Sequence, residues 1–122
     1  MDLSNKKIAV FRLVDIAGSG SGVTDFHIRE DLLRRICENR SITRIIIIHD
    51  NDEREYLAQT KAVEMFVFIY CKTAVFCKPR KEDFMNLLPQ GIRRKENIVC
   101  IGDRQAAEET GADYITLEDF LS

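Results

Sequence analysis

Residues 45–48 are four consecutive isoleucines, entered from Thr43-Arg44 and left through His49-Asp50-Asn51. β-Branched side chains are stiff and fit extended backbone. Along a strand they point alternately to opposite faces. A run with no polar break therefore needs apolar cover on both sides. That condition is met inside a parallel sheet with helices packed on each face. The chain must then supply more strands and crossover helices, and 122 residues suffice for one such domain, residues 1–122.

The rest of the chain provides them. Lys6 to Val14 is a nearly continuous apolar run and reads as the first strand, broken only by Arg12. Asp15 to Ile28, with Gly18-Ser-Gly-Ser-Gly22 at its centre, reads as a connector. It lacks the Gly-Lys-Ser/Thr ending of a P-loop and the spacing of a dinucleotide fingerprint. Arg29 to Asn39 is an amphipathic helix with Leu32, Leu33, Ile36 and Cys37 on one stripe. Thr43 to Ile48 is the second strand. Asp52 is placed to cap a helix over Glu53 to Glu64, with Tyr56, Leu57, Thr60 and Val63 inward. Phe66 to Tyr70 reads as the third strand, and Ala74 to Cys77 as a further short strand or an extended lead-in to Lys78-Pro79. Pro79 stops that segment, and Arg80 to Leu88 is a helix with Phe84, Leu87 and Leu88 inward. Pro89-Gln-Gly91 ends it. Ile98 to Ile101, Gln105 to Thr110, Tyr114 to Thr116 and Leu117 to Leu121 read as strand, helix, strand and short helix. The alternation predicts an α/β three-layer sandwich around a five-stranded, mainly parallel, Rossmann-like sheet.

Composition narrows the function classes. The chain is 45% hydrophobic and 31% charged, the balance of a packed globular domain. A net charge of −2 gives no general attraction to nucleic acid or anionic membrane, and Arg93-Arg94-Lys95-Glu96 is most simply a solvated loop. The apolar run Met65 to Cys71 is far short of the roughly 20 residues that span a bilayer. The first residues lack the apolar core of a signal peptide. Cys37, Cys71, Cys77 and Cys100 have no zinc-like spacing and read as reduced, mostly buried thiols. The expected location is cytoplasmic.

Candidate chemistry collects at the strand ends: Asp15 with Gly18 and Ser19, His49 with Asp50, Lys78, and Gly102-Asp103. Open α/β sheets bind ligands in the crevice beyond the carboxyl ends of their strands. Phe76-Cys-Lys-Pro79, then Phe84, then Ile98 to Asp103, then Gly111-Ala-Asp-Tyr-Ile115 resembles the haloacid dehalogenase superfamily of phosphotransferases in order and spacing. The resemblance is specific from about Val75 to Ile115 and extends over the chain as element order. It implies a small domain without a cap. A lysine would neutralise charge and a Gly-Asp aspartate would bind Mg2+. A hydroxyl residue at the second strand's end would hold phosphate, and an Asp-x-Asp-x-Thr motif would end the first strand.

Two registers compete at that first motif. In one, Asp15-Ile-Ala-Gly-Ser19 stands for the motif. The resemblance then makes Asp15 nucleophile and metal ligand, Ala17 a metal ligand through its carbonyl, and Ser19 a phosphate contact. Ala17 replaces the general acid, and His27 is the candidate surrogate. In the other, Ile8 to Val14 aligns with the motif, so Arg12 replaces the nucleophile and Val14 the acid. A strand ending at Phe11 leaves Arg12 at the open edge, whereas a strand reaching Val14 would bury its charge at high cost. In both registers His49 stands where Ser or Thr is expected, and Ala107 where a second acidic residue often follows. Receiver domains share the size and alternation, but their Lys-Pro follows the last strand, and here 43 residues follow Pro79.

The resemblance implies Mg2+-dependent phosphate-ester hydrolysis, with Asp15 and Lys78 catalytic. Ser19, His49 and Lys78 would bind phosphate, and Asp15, Ala17 and Asp103 would bind metal. The substrate would be a phosphorylated molecule, small or macromolecular. The rival expectation is a catalytically inactive domain of the same fold that binds a protein partner. Asp103 also has a plain structural reading, as the cap of the helix that follows it.

Overall fold

The computed structural model describes residues 3–17, 27–49, 57–88 and 95–122. Its centre is a five-stranded sheet in which every pairing is parallel. The strands are β1 (Ile8–Arg12), β2 (Arg44–Ile48), β3 (Thr73–Cys77), β4 (Ile98–Ile101) and β5 (Asp113–Ile115). Their order across the sheet is β3-β2-β1-β4-β5. The helices are α1 (Leu13–Ala17), α2 (Glu30–Cys37), α3 (Leu57–Ile69), α4 (Lys81–Asn86), α5 (Arg104–Thr110) and α6 (Leu117–Leu121). The result is a three-layer, Rossmann-like α/β sandwich.

The isoleucine run behaves as its pattern requires. Ile45 and Ile47 join Ala9, Phe11, Val99 and Ile101 on the face covered by α1, α2, α3 and α6. Ile46 and Ile48 join Ile8, Val10, Ile98 and Cys100 on the face covered by α4 and α5. Both layers are buried, and the three central strands contribute to each. No helix among the described residues is long and apolar enough to cross a membrane.

Several boundaries differ from the sequence expectation. The first strand runs from Ile8 to Arg12 rather than Lys6 to Val14, because Leu13 already turns into α1. The largest correction concerns Phe66 to Tyr70. These residues are not a strand: α3 continues to Ile69, and the third strand is Thr73–Cys77. Val63 and Val67, one helical turn apart, are buried against the sheet, with Thr60 a turn earlier. Leu57, expected inward, is exposed. The helix stops without a glycine. Cys71 takes the left-handed conformation (φ 61°), and the Lys72 amide returns to the Val67 carbonyl at 3.1 Å. Such closures usually use glycine. The expected cap at Asp52, the inward Tyr56 and the helix start at Glu53 lie outside the described residues.

Candidate functional site

Strand order reverses between β1 and β4, since β2 and β3 extend to one side of β1 and β4 and β5 to the other. This switch point is where an open parallel sheet leaves a crevice at its carboxyl edge. The segments that leave there are Arg12 to Ala17 and Gly102-Asp103, so three expected site residues are brought to one place.

Arg12 is the last residue of β1, paired in register with Ile48. Its side chain is about half exposed, which removes the burial cost that a longer strand would have imposed. Asp15 lies one helical turn on, in α1, with its side chain only 13% exposed. The two pair at two points. Arg12 Nε donates to Asp15 Oδ2 at 3.0 Å, and a terminal nitrogen donates to Oδ1 at 3.2 Å. Fork-to-fork geometry makes this a directional, charge-assisted pair. The hydrogen bond to Asp15 raises the Arg12 guanidinium above its ordinary range; the charges of Asp15 and Asp103 and the nearby Tyr114 add to this, and burial opposes it.

Asp15 also explains Gly102. Gly102 has φ 81°, a conformation that side chains rarely adopt. A Cβ placed there would stand 3.0 Å from Asp15 Oδ2 and 3.1 Å from Leu117. The turn after β4 is thus stripped of a side chain where the Asp15 carboxylate approaches. Asp103 follows, nearly buried, and its Oδ1 accepts the Ala106 amide at 3.0 Å. It is the N-cap of α5, and Gly111 (φ 74°) closes the same helix.

The remaining expected residues sit farther out or elsewhere. His49 is buried at the end of β2; its amide donates to the Cys77 carbonyl at 3.0 Å, and its ring meets Phe76 edge-on at 6.5 Å. Lys78 follows the end of β3, two strands from β1 and so roughly 9.5 Å away between backbones. Ala17 ends α1 and is buried. His27 is exposed. Ser19 and its glycine-rich loop, with Asp50, lie outside the described residues.

Asp15, Asp103 and the Ala17 carbonyl, as arranged, do not fit a magnesium ion. Both oxygens of Asp15 face a guanidinium, and one oxygen of Asp103 is engaged by the α5 amide. Among the described residues no three His, Cys, Asp or Glu side chains converge on a common point. Beside Asp103 a cleft between α4 and α5, walled by Ile48, Pro79, Phe84 and Ala106, measures only about 30 Å3. That is room for a water, not for an enclosed small molecule.

Two features were not anticipated. Gln59 is buried in the first turn of α3, and its side-chain oxygen has no hydrogen-bond partner among the described residues. A polar residue at an inward helical position was its only signal. The other is the Arg12–Asp15 pair itself. Its spacing of three is a helical one, and it became readable only once β1 was seen to end at Arg12. Comparison with known proteins finds no matching family model, no matching curated protein and no matching solved structure.

Proposed function

We propose that the chain is a haloacid-dehalogenase-like domain that has lost turnover and acts by binding a protein partner. One observation carries the reading: Arg12 is paired at two points with Asp15 at the switch point. A carboxylate held this way is charge-neutralised and has both oxygens engaged. It is a poor nucleophile and a poor metal ligand until the guanidinium leaves. The cleft that Asp103 lines agrees, since among the described residues it measures only about 30 Å3.

The second reading, magnesium-dependent phosphate-ester hydrolysis, is favoured by the approach of Asp15 to Gly102-Asp103. It requires Arg12 to release Asp15. Lys78 and His49 would then meet the phosphoryl group, small or macromolecular.

The test is an assay with p-nitrophenyl phosphate and magnesium on the wild type, Asp15→Asn and Asp103→Asn. No turnover and no magnesium-induced rise in Tm are expected. Wild-type turnover that both substitutions abolish overturns the binding reading in favour of the enzyme. A rise in Tm with inorganic phosphate, lost in Lys78→Ala, would assign the edge to phosphoryl binding without turnover.

A further inference from the structure

Helix α3 is apolar on two sides. Val63 and Val67 are buried against the sheet, while Met65, Phe68 and Ile69 are 70%, 77% and 78% exposed on the other side. Single exposed apolar residues need no explanation, but three on adjoining turns form a patch. Their exposed area is on the order of 400 Å2, the size of a working patch on a monomer. They border a groove of about 460 Å3 lined by Ala62, Glu64, Met65, Phe66, Phe68 and Ile69.

We propose that this face pairs with the same face of a second copy of the chain, the two α3 helices lying antiparallel about a two-fold axis near Met65. The outward residues are self-complementary in size. Ala58 and Ala62 occupy the amino half, and Met65, Phe68 and Ile69 the carboxyl half. An antiparallel pair sets the bulky half of each helix against the small half of the other, so Phe68 of one copy enters the space over Ala62 of the other. A parallel pair would set bulk on bulk and leave a void at the alanines. Charge is complementary as well. The exposed charges of this half-turn are Lys61 and Glu64, one of each sign. Antiparallel packing brings Lys61 towards the carboxyl end of the opposing helix, where a cation is favourable, while parallel packing opposes Lys61 to Lys61. A single lysine beside a glutamate does not make the basic polar face of a membrane-lying helix. With the rim from Leu57, Lys61 and Glu64, each copy offers about 600 Å2, the lower limit for a specific interface, so the dimer is isologous and concentration-dependent.

The test is the mass of the full chain in solution, by light scattering after size exclusion, from about 1 to about 200 μM. The wild type is expected to rise from 14.1 kDa towards twice that value. Phe68→Glu and Met65→Glu are expected to remain monomeric at every concentration, with the Tm of the dilute, monomeric wild type, because both side chains are mostly solvent-exposed in the protomer. In a Cys71→Ser background, Met65→Cys is expected to form an intermolecular disulfide and Ala58→Cys to form none. A wild type that stays at 14.1 kDa throughout overturns the proposal, whatever the variants do. A dimer that survives both glutamates overturns the assigned face, and self-linking of Ala58→Cys overturns the antiparallel arrangement. The outcome is independent of turnover at the carboxyl edge, since no residue of that edge is altered.

Discussion

The two ends of the sheet use cationic side chains in opposite ways. At the amino end, Lys6 reaches the Glu96 carbonyl and the Asp113 carboxylate, Arg44 the Leu87 carbonyl, and Lys72 the Asn39 and Ile42 carbonyls. Lys6 is 2% exposed, so its ammonium is a structural tie between the entries to β1, β4 and β5. At the carboxyl end, Arg12 meets a carboxylate instead of carbonyls and keeps about half its surface in water. The first end gains order from cations that are satisfied by carbonyls, Lys6 buried and Arg44 and Lys72 half-buried. The second keeps a charge pair at an open edge, where an incoming group can compete for either member. Position in the parallel sheet separates these roles, because all strand entries lie on one side and all exits on the other.

The comparison can be broken experimentally. The largest effect belongs to the core between the ends and sets the pH range in which they can be compared. Burial pushes the thiols of Cys37 and Cys77 up to about 11 and Cys100 up to about 12. The unfolded chain releases these protons near its ordinary thiol value of about 8.5, whereas the folded chain keeps them. Stability contributed by the protonated core is therefore full below that value and is lost as pH rises to about 11 to 12. The unfolding free energy from urea titrations should fall by several kcal/mol in total between pH 8 and that range. Cys100→Val should flatten the slope, and a slope unaffected by it would remove Cys100 as a cause. Cys71, which is exposed, should react with a thiol reagent well before the other three.

Next in size is Asp113→Ala, which leaves the buried Lys6 ammonium with only a carbonyl acceptor; because the Asp113 carboxylate is itself 57% exposed, the cost should be about 2 kcal/mol in urea unfolding. Lys6→Met removes the charge and keeps most of the volume, so it should cost clearly less. Equal costs would mean that Lys6 is solvated. At the other end, Asp103→Ala removes the α5 cap and should cost about 1 kcal/mol. Arg12→Ala is expected to cost a similar amount, about 1 kcal/mol, because it leaves the Asp15 carboxylate, whose side chain is 13% exposed, without its partner. That variant should nevertheless gain a magnesium-dependent rise in Tm, because it frees Asp15 against the Gly102-Asp103 turn. A large loss of stability with no magnesium response would place Arg12 with the structural cations of the amino end.

Legibility in the sequence followed the range of the interactions. Ile98–Ile101 and Leu117–Leu121 were readable to the residue, because their apolar patterns are local signals, whereas Thr116, expected to end the fifth strand, is instead the cap of α6. Asp103 as a helix cap and Gly111 as a helix stop were readable for the same reason. Phe66 to Tyr70 was misread because it is apolar on both sides of a helix, which erases helical periodicity. The usual stop signal was also missing, with Cys71 in the place of a glycine. At the site, the carboxylates were visible but their relation was not. Which of Arg12 and Asp15 stands by the Gly102-Asp103 turn depends on where β1 ends: Arg12, at the strand end, feels the charge of Asp103, and Asp15, a turn later, lies against Gly102.

By itself the sequence determined a two-faced parallel sheet, since four isoleucines in a row can be dry only between two layers of helix. It also determined that acidic and basic side chains would gather at the exits of the strands. Tertiary structure alone decided that Arg12 engages Asp15, that Gly102 makes room for that carboxylate, and that the outer face of α3 is left uncovered. Those outcomes depend on which distant segments become neighbours across the sheet, and neither local periodicity nor residue spacing encodes that.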